Sequence, residues 1–99
     1  MAKRKLLTEP ELRAALKNLS GWKVVQGKLY KEFHFPTFVE AFGFMTSVAI
    51  EAEAVNHHPE WFNVYGDVKV HLVTHDLGGI STFDVALAEK MNRLSGRKN

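Results

Sequence analysis

The sequence predicts an α+β domain, a two-layer fold in which a four-stranded antiparallel sheet carries three helices on one face in the order α-β-β-α-β-β-α. Three observations lead there. Thr8, Thr37 and Ser81 are each followed three residues later by Glu11, Glu40 or Asp84, and each pair opens a run of apolar residues at helical spacing. Between the helices stand four short runs rich in β-branched and aromatic residues. These runs are joined in pairs across Gln26-Gly27 and Gly66-Asp67, which read as tight turns. Two hairpins linked by a helix favour an antiparallel sheet, but strand order is not readable at this level.

Taken in order, Thr8-Glu9-Pro10-Glu11 forms a capping box with proline in the first turn, where its missing N–H is harmless. Leu12, Ala15, Leu16 and Leu19 then recur on one helical face until Ser20-Gly21 ends the run. Trp22 to Val25 and Lys28 to Phe35 are the first two strands. In the second, Leu29, Phe33 and Phe35 share one face, and Tyr30, Glu32 and His34 the other. The central helix starts at Thr37 and is expected to reach about Asn56. It carries two apolar stripes, Phe38-Phe42-Met45-Ala49 and Phe44-Val48-Val55. One stripe belongs against the sheet of the same chain. The other, expected to be that of Phe44 and Val48, is either buried within the monomer or covered by a partner subunit. Residues before proline avoid helical geometry, so the chain turns at His57-His58-Pro59. Trp61 to Tyr65 and Val68 to about Thr74 make the second hairpin, and Val68, Val70 and Leu72 alternate with Lys69, His71 and Val73. Asp76 to Ile80 is a loop, and Val85, Ala88, Met91 and Leu94 carry the last helix.

At 99 residues the chain forms one domain spanning 1–99, with a modest core that association would help to stabilise. The 45% hydrophobic and 24% charged composition is that of an ordinary globular protein. With no cysteine there can be no disulfide, thiolate metal site or thiol nucleophile. No segment could span a bilayer, so the expected location is cytoplasmic. The +2 net charge arises at the ends, in Lys3-Arg4-Lys5 and Arg97-Lys98, and residues 1–7 and 96–99 are expected to be mobile tails. Nucleic-acid binding is not expected from so small an excess.

Four of the five histidines fall between Glu53 and Asp84. His57 and His58 stand at the end of the central helix and His75 at the end of the last strand, so the two ends could meet over a groove. Imidazole, with an ordinary pKa of about 6.5, exchanges protons near neutrality without assistance. Glu53, one helical turn before His57, could fix its tautomer. Zinc is the rival reading, but neither HExxH nor a Cys/His pattern is present and adjacent histidines diverge, so no metal and no cofactor is expected. No phosphate-cradling loop or serine elbow supports nucleotide binding or acyl transfer.

Glu53, His57-His58-Pro59, Tyr65, His75 and Asp84 stand at the spacing E-x3-HHP-x5-Y-x9-H-x8-D. This pattern, with HHPEWFNVY and AFGFMTSVA, resembles the signature of the pterin-4a-carbinolamine dehydratases from about Trp22 onward. The resemblance implies the same fold and a metal-free dehydration of 4a-hydroxytetrahydrobiopterin in which His57, His58 and His75 are catalytic. It implies a pterin site drawn from Glu53, Asn56, His57, His58, Pro59, Trp61, Val73, Thr74, His75 and Asp76, with Tyr65 and Asp84 structural. Family members often carry Asp before HHP and Ser-Thr before the later histidine, where this chain has Asn56 and Val73-Thr74. Side-chain contacts from Asn56 and Val73 are therefore not assumed. The resemblance also implies a homodimer or homotetramer. It carries an alternative role, binding a transcription-factor partner through the long helix.

Overall fold

The structure, a computed structural model, describes residues 4–96, so the expected tails are covered only in part and residues 1–3 and 97–99 lie outside the described residues. The element order is the predicted one: α1 Glu9–Leu16, β1 Lys23–Val25, β2 Lys28–His34, α2 Phe38–Ala54, β3 Glu60–Val64, β4 Asp67–Leu72 and α3 Thr82–Ser95, with a short 3-10 turn at His75–Leu77. All strand pairings are antiparallel and the sheet order is β1-β2-β4-β3, so β1 and β3 are its edges.

The sequence signals act through identifiable bonds. Thr8 and Glu11 close a reciprocal capping box on α1, and Ser81 and Asp84 close one on α3. At α2 the Thr37 hydroxyl accepts from the Glu40 N–H at 3.1 Å. The first hairpin turns through Gln26 and Gly27, with φ of 53° and 78°, the left-handed pair that suits strand twist. The second turn is Tyr65-Gly66, one residue earlier than predicted, and Asp67 opens β4 instead. Packing selects this register. The Gly66 carbonyl accepts from the Phe35 N–H at 2.8 Å, and a Cβ at Gly66 would stand 2.1 Å from the Phe35 carbonyl oxygen. The Asn63 amide braces the turn by donating to the carbonyls of Tyr65 and Asp67.

The core lies between the sheet and the helices. Leu29 and Phe33 from β2 and Val68, Val70 and Leu72 from β4 meet Ala41, Phe44, Val48 and Ala52 from α2 and Leu87, Ala88 and Met91 from α3. This corrects the expected assignment of the α2 stripes. Phe44 and Val48 are the inward stripe, and Phe38, Val39, Phe42, Ile50 and Val55 are the exposed apolar residues. Helix α1 is shorter than its periodicity implied, and Leu19 reaches the core from the turns that follow it. In α3, Leu87 takes the core place expected of Leu94. Among the described residues, no helix covers the other face of the sheet, with Tyr30, Glu32, His34, Lys69 and His71.

Candidate active site

Helix α2 ends in a way that throws His57 back toward the core. Asn56 takes the left-handed conformation with φ of 53°, its N–H bonds the Glu53 carbonyl and the His57 N–H bonds the Ala52 carbonyl at 3.0 Å. This is a Schellman ending, and asparagine is the residue after glycine that best tolerates its left-handed position. The helix therefore stops at Ala54, slightly before the expected Asn56, and Asn56 has a backbone reason for its identity. His57 then lies only 6% exposed, its ring edge-on to Phe83.

The His57 partner is Asp84, whose Oδ1 is 2.6 Å from the ring Nε2. Asp84 is fully buried. Its Oδ2 accepts from the Ser81 N–H and the Thr74 hydroxyl, both at 2.8 Å, and Thr74 is in turn 2.6 Å from the Ser81 hydroxyl. The sequence assigned Asp84 a capping role, and it has one. Its second oxygen, turned toward the histidine, was not foreseen.

His58 and His75 are more open, with side chains 55% and 74% exposed. The His58 Nε2 lies 2.8 Å from Glu53 Oε1, so Glu53 pairs with His58 and not with His57 as its helical spacing suggested. The left-handed Asn56 breaks that spacing. His75 Nε2 lies 2.7 Å from Glu60 Oε2, and Lys28 Nζ lies 2.7 Å from the other Glu60 oxygen. The Lys28 bond holds the Glu60 carboxyl below its usual range, with a smaller contribution from His75, against the opposing effect of burial.

His75 begins the 3-10 turn, which Gly78 closes in the left-handed conformation. Asp76 beside it forms a two-pronged bond with Arg4, at 2.8 and 2.6 Å. That bond holds the Asp76 carboxyl low and the Arg4 guanidinium above its ordinary value. The segment behind Arg4, expected as tail, runs along the start of α3. The Lys5 carbonyl accepts from Thr82, the Leu7 N–H bonds the Ile80 carbonyl, and Leu6 bridges Ser81.

These elements enclose a shallow groove of about 230 Å³ lined by Arg4, Asn56, His57, His58, Val73, Thr74, His75 and Asp76. Seven of those eight belong to the predicted set, and Arg4 is the addition. Glu53 adjoins the groove through His58. Pro59 and Trp61 are not in its wall, and Trp61 packs toward the core. Tyr65 stands apart at the hairpin turn, its hydroxyl donating to the Pro36 carbonyl at 3.3 Å. Among the described residues no three His, Asp or Glu side chains are grouped so as to hold a metal ion. Three imidazoles facing one polar groove, each with a carboxylate on Nε2, can give and take protons on a bound molecule.

The profile of the family described as pterin 4 alpha carbinolamine dehydratase matches residues 5–94. The chain is 53% identical over 89 residues to a Solibacter usitatus protein provisionally named pterin-4-alpha-carbinolamine dehydratase, covering 90% of this chain and 94% of the other. An Afipia carboxidovorans protein with the same provisional name is 51% identical over 94 residues, 93% of this chain and 94% of that one. The crystal structure of a transcriptional coactivator/pterin dehydratase from Brucella melitensis superposes with a TM-score of 0.89 at 45% identity, covering 93% of this chain and all of the other. A pterin dehydratase-like protein identified as a RuBisCO assembly factor in the alpha-carboxysome gives 0.63 at 22% identity, over 78% of this chain and 89% of that one, a likeness of fold alone.

Proposed function

This chain belongs to the pterin 4 alpha carbinolamine dehydratase family, and from that premise we propose that it dehydrates 4a-hydroxytetrahydrobiopterin to quinonoid dihydrobiopterin and water, as a cytoplasmic enzyme of tetrahydrobiopterin recycling. The observation that carries the proposal is the meeting of His57 and His58, from the end of α2, with His75, from beyond β4, on one groove. In the reaction the C4a–O bond breaks, N5 loses its proton and the C4a=N5 double bond forms. An imidazolium protonates the departing hydroxyl, which leaves as water, and a neutral imidazole receives the N5 proton. Each such transfer is worth about 10²–10⁴-fold. His57 and His75 serve as the acid/base pair and His58 orients the pterin. Asn56, Val73, Thr74 and Asp76 supply the groove wall.

The working form is a homodimer or homotetramer. Edge strands β1 and β3 offer backbone groups for pairing between subunits, and the outward face of α2, with Phe38, Val39, Phe42 and Ile50, offers an apolar surface for helix packing. The same α2 surface is the observation that favours a second reading, in which the protein binds a transcription factor as the name of the Brucella protein suggests for that protein. Adding the purified protein to freshly generated 4a-carbinolamine tests the main reading. Quinonoid dihydropterin should form, by its absorbance, well above the uncatalysed rate. A folded protein that leaves the rate unchanged would remove the enzymatic reading and leave the binding one.

A further inference from the structure

His75 has the most exposed side chain of the three groove histidines, and among the described residues its ring makes one hydrogen bond, from Nε2 to Glu60 Oε2. An exposed imidazole anchored by a glutamate is well placed only if the glutamate is. Glu60 opens an edge strand and has three side-chain torsions, so on its own it would sample several rotamers. Lys28 restricts it by taking Oε1 at 2.7 Å. Lys28 opens β2, and β4 lies between β2 and β3. The bond therefore crosses the uncovered face of the sheet and ties the edge-strand glutamate to a strand that is not its neighbour. With side chains only 33% and 38% exposed, the pair is partly shielded from water.

We propose that Lys28 and Glu60 act together as positioning residues for His75, with Glu60 accepting a hydrogen bond from Nε2–H so that Nδ1 is the nitrogen presented to substrate, and Lys28 fixing the way Glu60 turns. This rests on the assignment of His75 to acid/base chemistry. The carboxylate form of Glu60 is favoured by Lys28, so it accepts a bond from Nε2–H throughout the range where imidazoles titrate. The other charged groups around His75 leave this arrangement alone. Asp76, its neighbour in the turn, is occupied at both oxygens by Arg4, and the Nε2 atoms of His57 and His58 are taken by Asp84 and Glu53. Neither Lys28 nor Glu60 belongs to the groove wall, so a direct contact with substrate does not explain them.

The test reads the tautomer and the kinetics together. In ¹⁵N-labelled protein near neutral pH, His75 should show the Nε2–H pattern, and Lys28→Met should convert it to a mixture while raising the Glu60 carboxyl midpoint. Turnover in Lys28→Met should fall by about tenfold with KM within about twofold and the melting temperature unmoved. Lys28→Arg should restore most of the loss. Glu60→Gln should give the mixed tautomer as well, with at least as large a loss in kcat. A single Nε2–H signal and wild-type kcat in Lys28→Met would overturn the proposal. So would an equal loss from Lys28→Met in a His75→Ala background, because Lys28 would then act elsewhere. The tautomer is read without substrate, so a protein that fails to dehydrate the carbinolamine would still decide whether the relay exists.

Discussion

Asp84 spends one carboxylate oxygen on His57 and the other on Ser81 and Thr74, and that division sets what each histidine variant should do. His57→Ala leaves a fully buried carboxylate one donor short, a loss on the order of 1–3 kcal/mol. His75→Ala removes an exposed ring and should stay within about 0.5 kcal/mol of wild type. Both should slow dehydration by at least about tenfold. Calorimetry beside stopped-flow absorbance checks the pair, and equal melting temperatures for the two variants would contradict the burial argument. The bond to Arg4 gives a second outcome. Asp76 is held below its usual range in the fold. Its contribution is therefore fully present above the unfolded carboxyl value and fades as pH falls through the lowered folded one. Carboxyl NMR should show the Asp76 midpoint rise in Arg4→Ala. At this scale the motif held all three histidines and two of their partners, Glu53 and Asp84, but neither the pairing of carboxylate with ring nor Glu60. Glu60 and Arg4 reach His75 and Asp76 only once the sheet order and the path of the first residues are set, and neither is visible as a local pattern.

Helix α2 was legible as a helix, with its cap and its two apolar stripes, but not in which stripe faces inward. Both stripes satisfy helical periodicity, and the choice is made by what the sheet and α3 present to them. Val48 is 0% exposed and Ile50 is 66% exposed, two residues apart. Val48→Glu buries an unpaired carboxylate and should unfold the domain, seen as lost near-ultraviolet dichroism. Ile50→Glu should stay folded. If α2 helices pack between subunits, as proposed, sedimentation equilibrium should give wild type a mass above the 11.2 kDa of one chain, and Ile50→Glu a smaller assembly than wild type. A folded wild-type protein that sediments at the single-chain mass would remove the oligomer proposal. The second hairpin teaches the same lesson on a smaller scale. Gly66-Asp67 and Tyr65-Gly66 are both acceptable turn pairs locally, and the approach of Phe35 decides between them.

For the molecule as a whole, no three His, Asp or Glu side chains among the described residues are grouped as metal ligands, and turnover should survive exhaustive treatment with a chelator. Loss of activity restored by added zinc would place the histidines around a metal instead. The α+β architecture and its element order were readable because capping pairs and turn residues mark element ends chemically. The sheet order was not, because both hairpins are compatible with several arrangements until the crossover through α2 is built. One consequence follows from where Asp84 sits. Its carboxylate joins the start of α3, the last element along the chain, with the end of α2 and the exit from β4, and it also holds the Ser81 N–H inside the protein. Ser81 and Asp84 are both fully buried, so exposing that amide to water means parting this junction. In deuterium exchange the Ser81 proton should therefore be lost at the rate of global unfolding, whereas the amides of the exposed Tyr65 turn should exchange orders of magnitude sooner. Any partly unfolded form in which the Ser81 amide opens, however much helix it keeps, would lack the His57 arm of the groove.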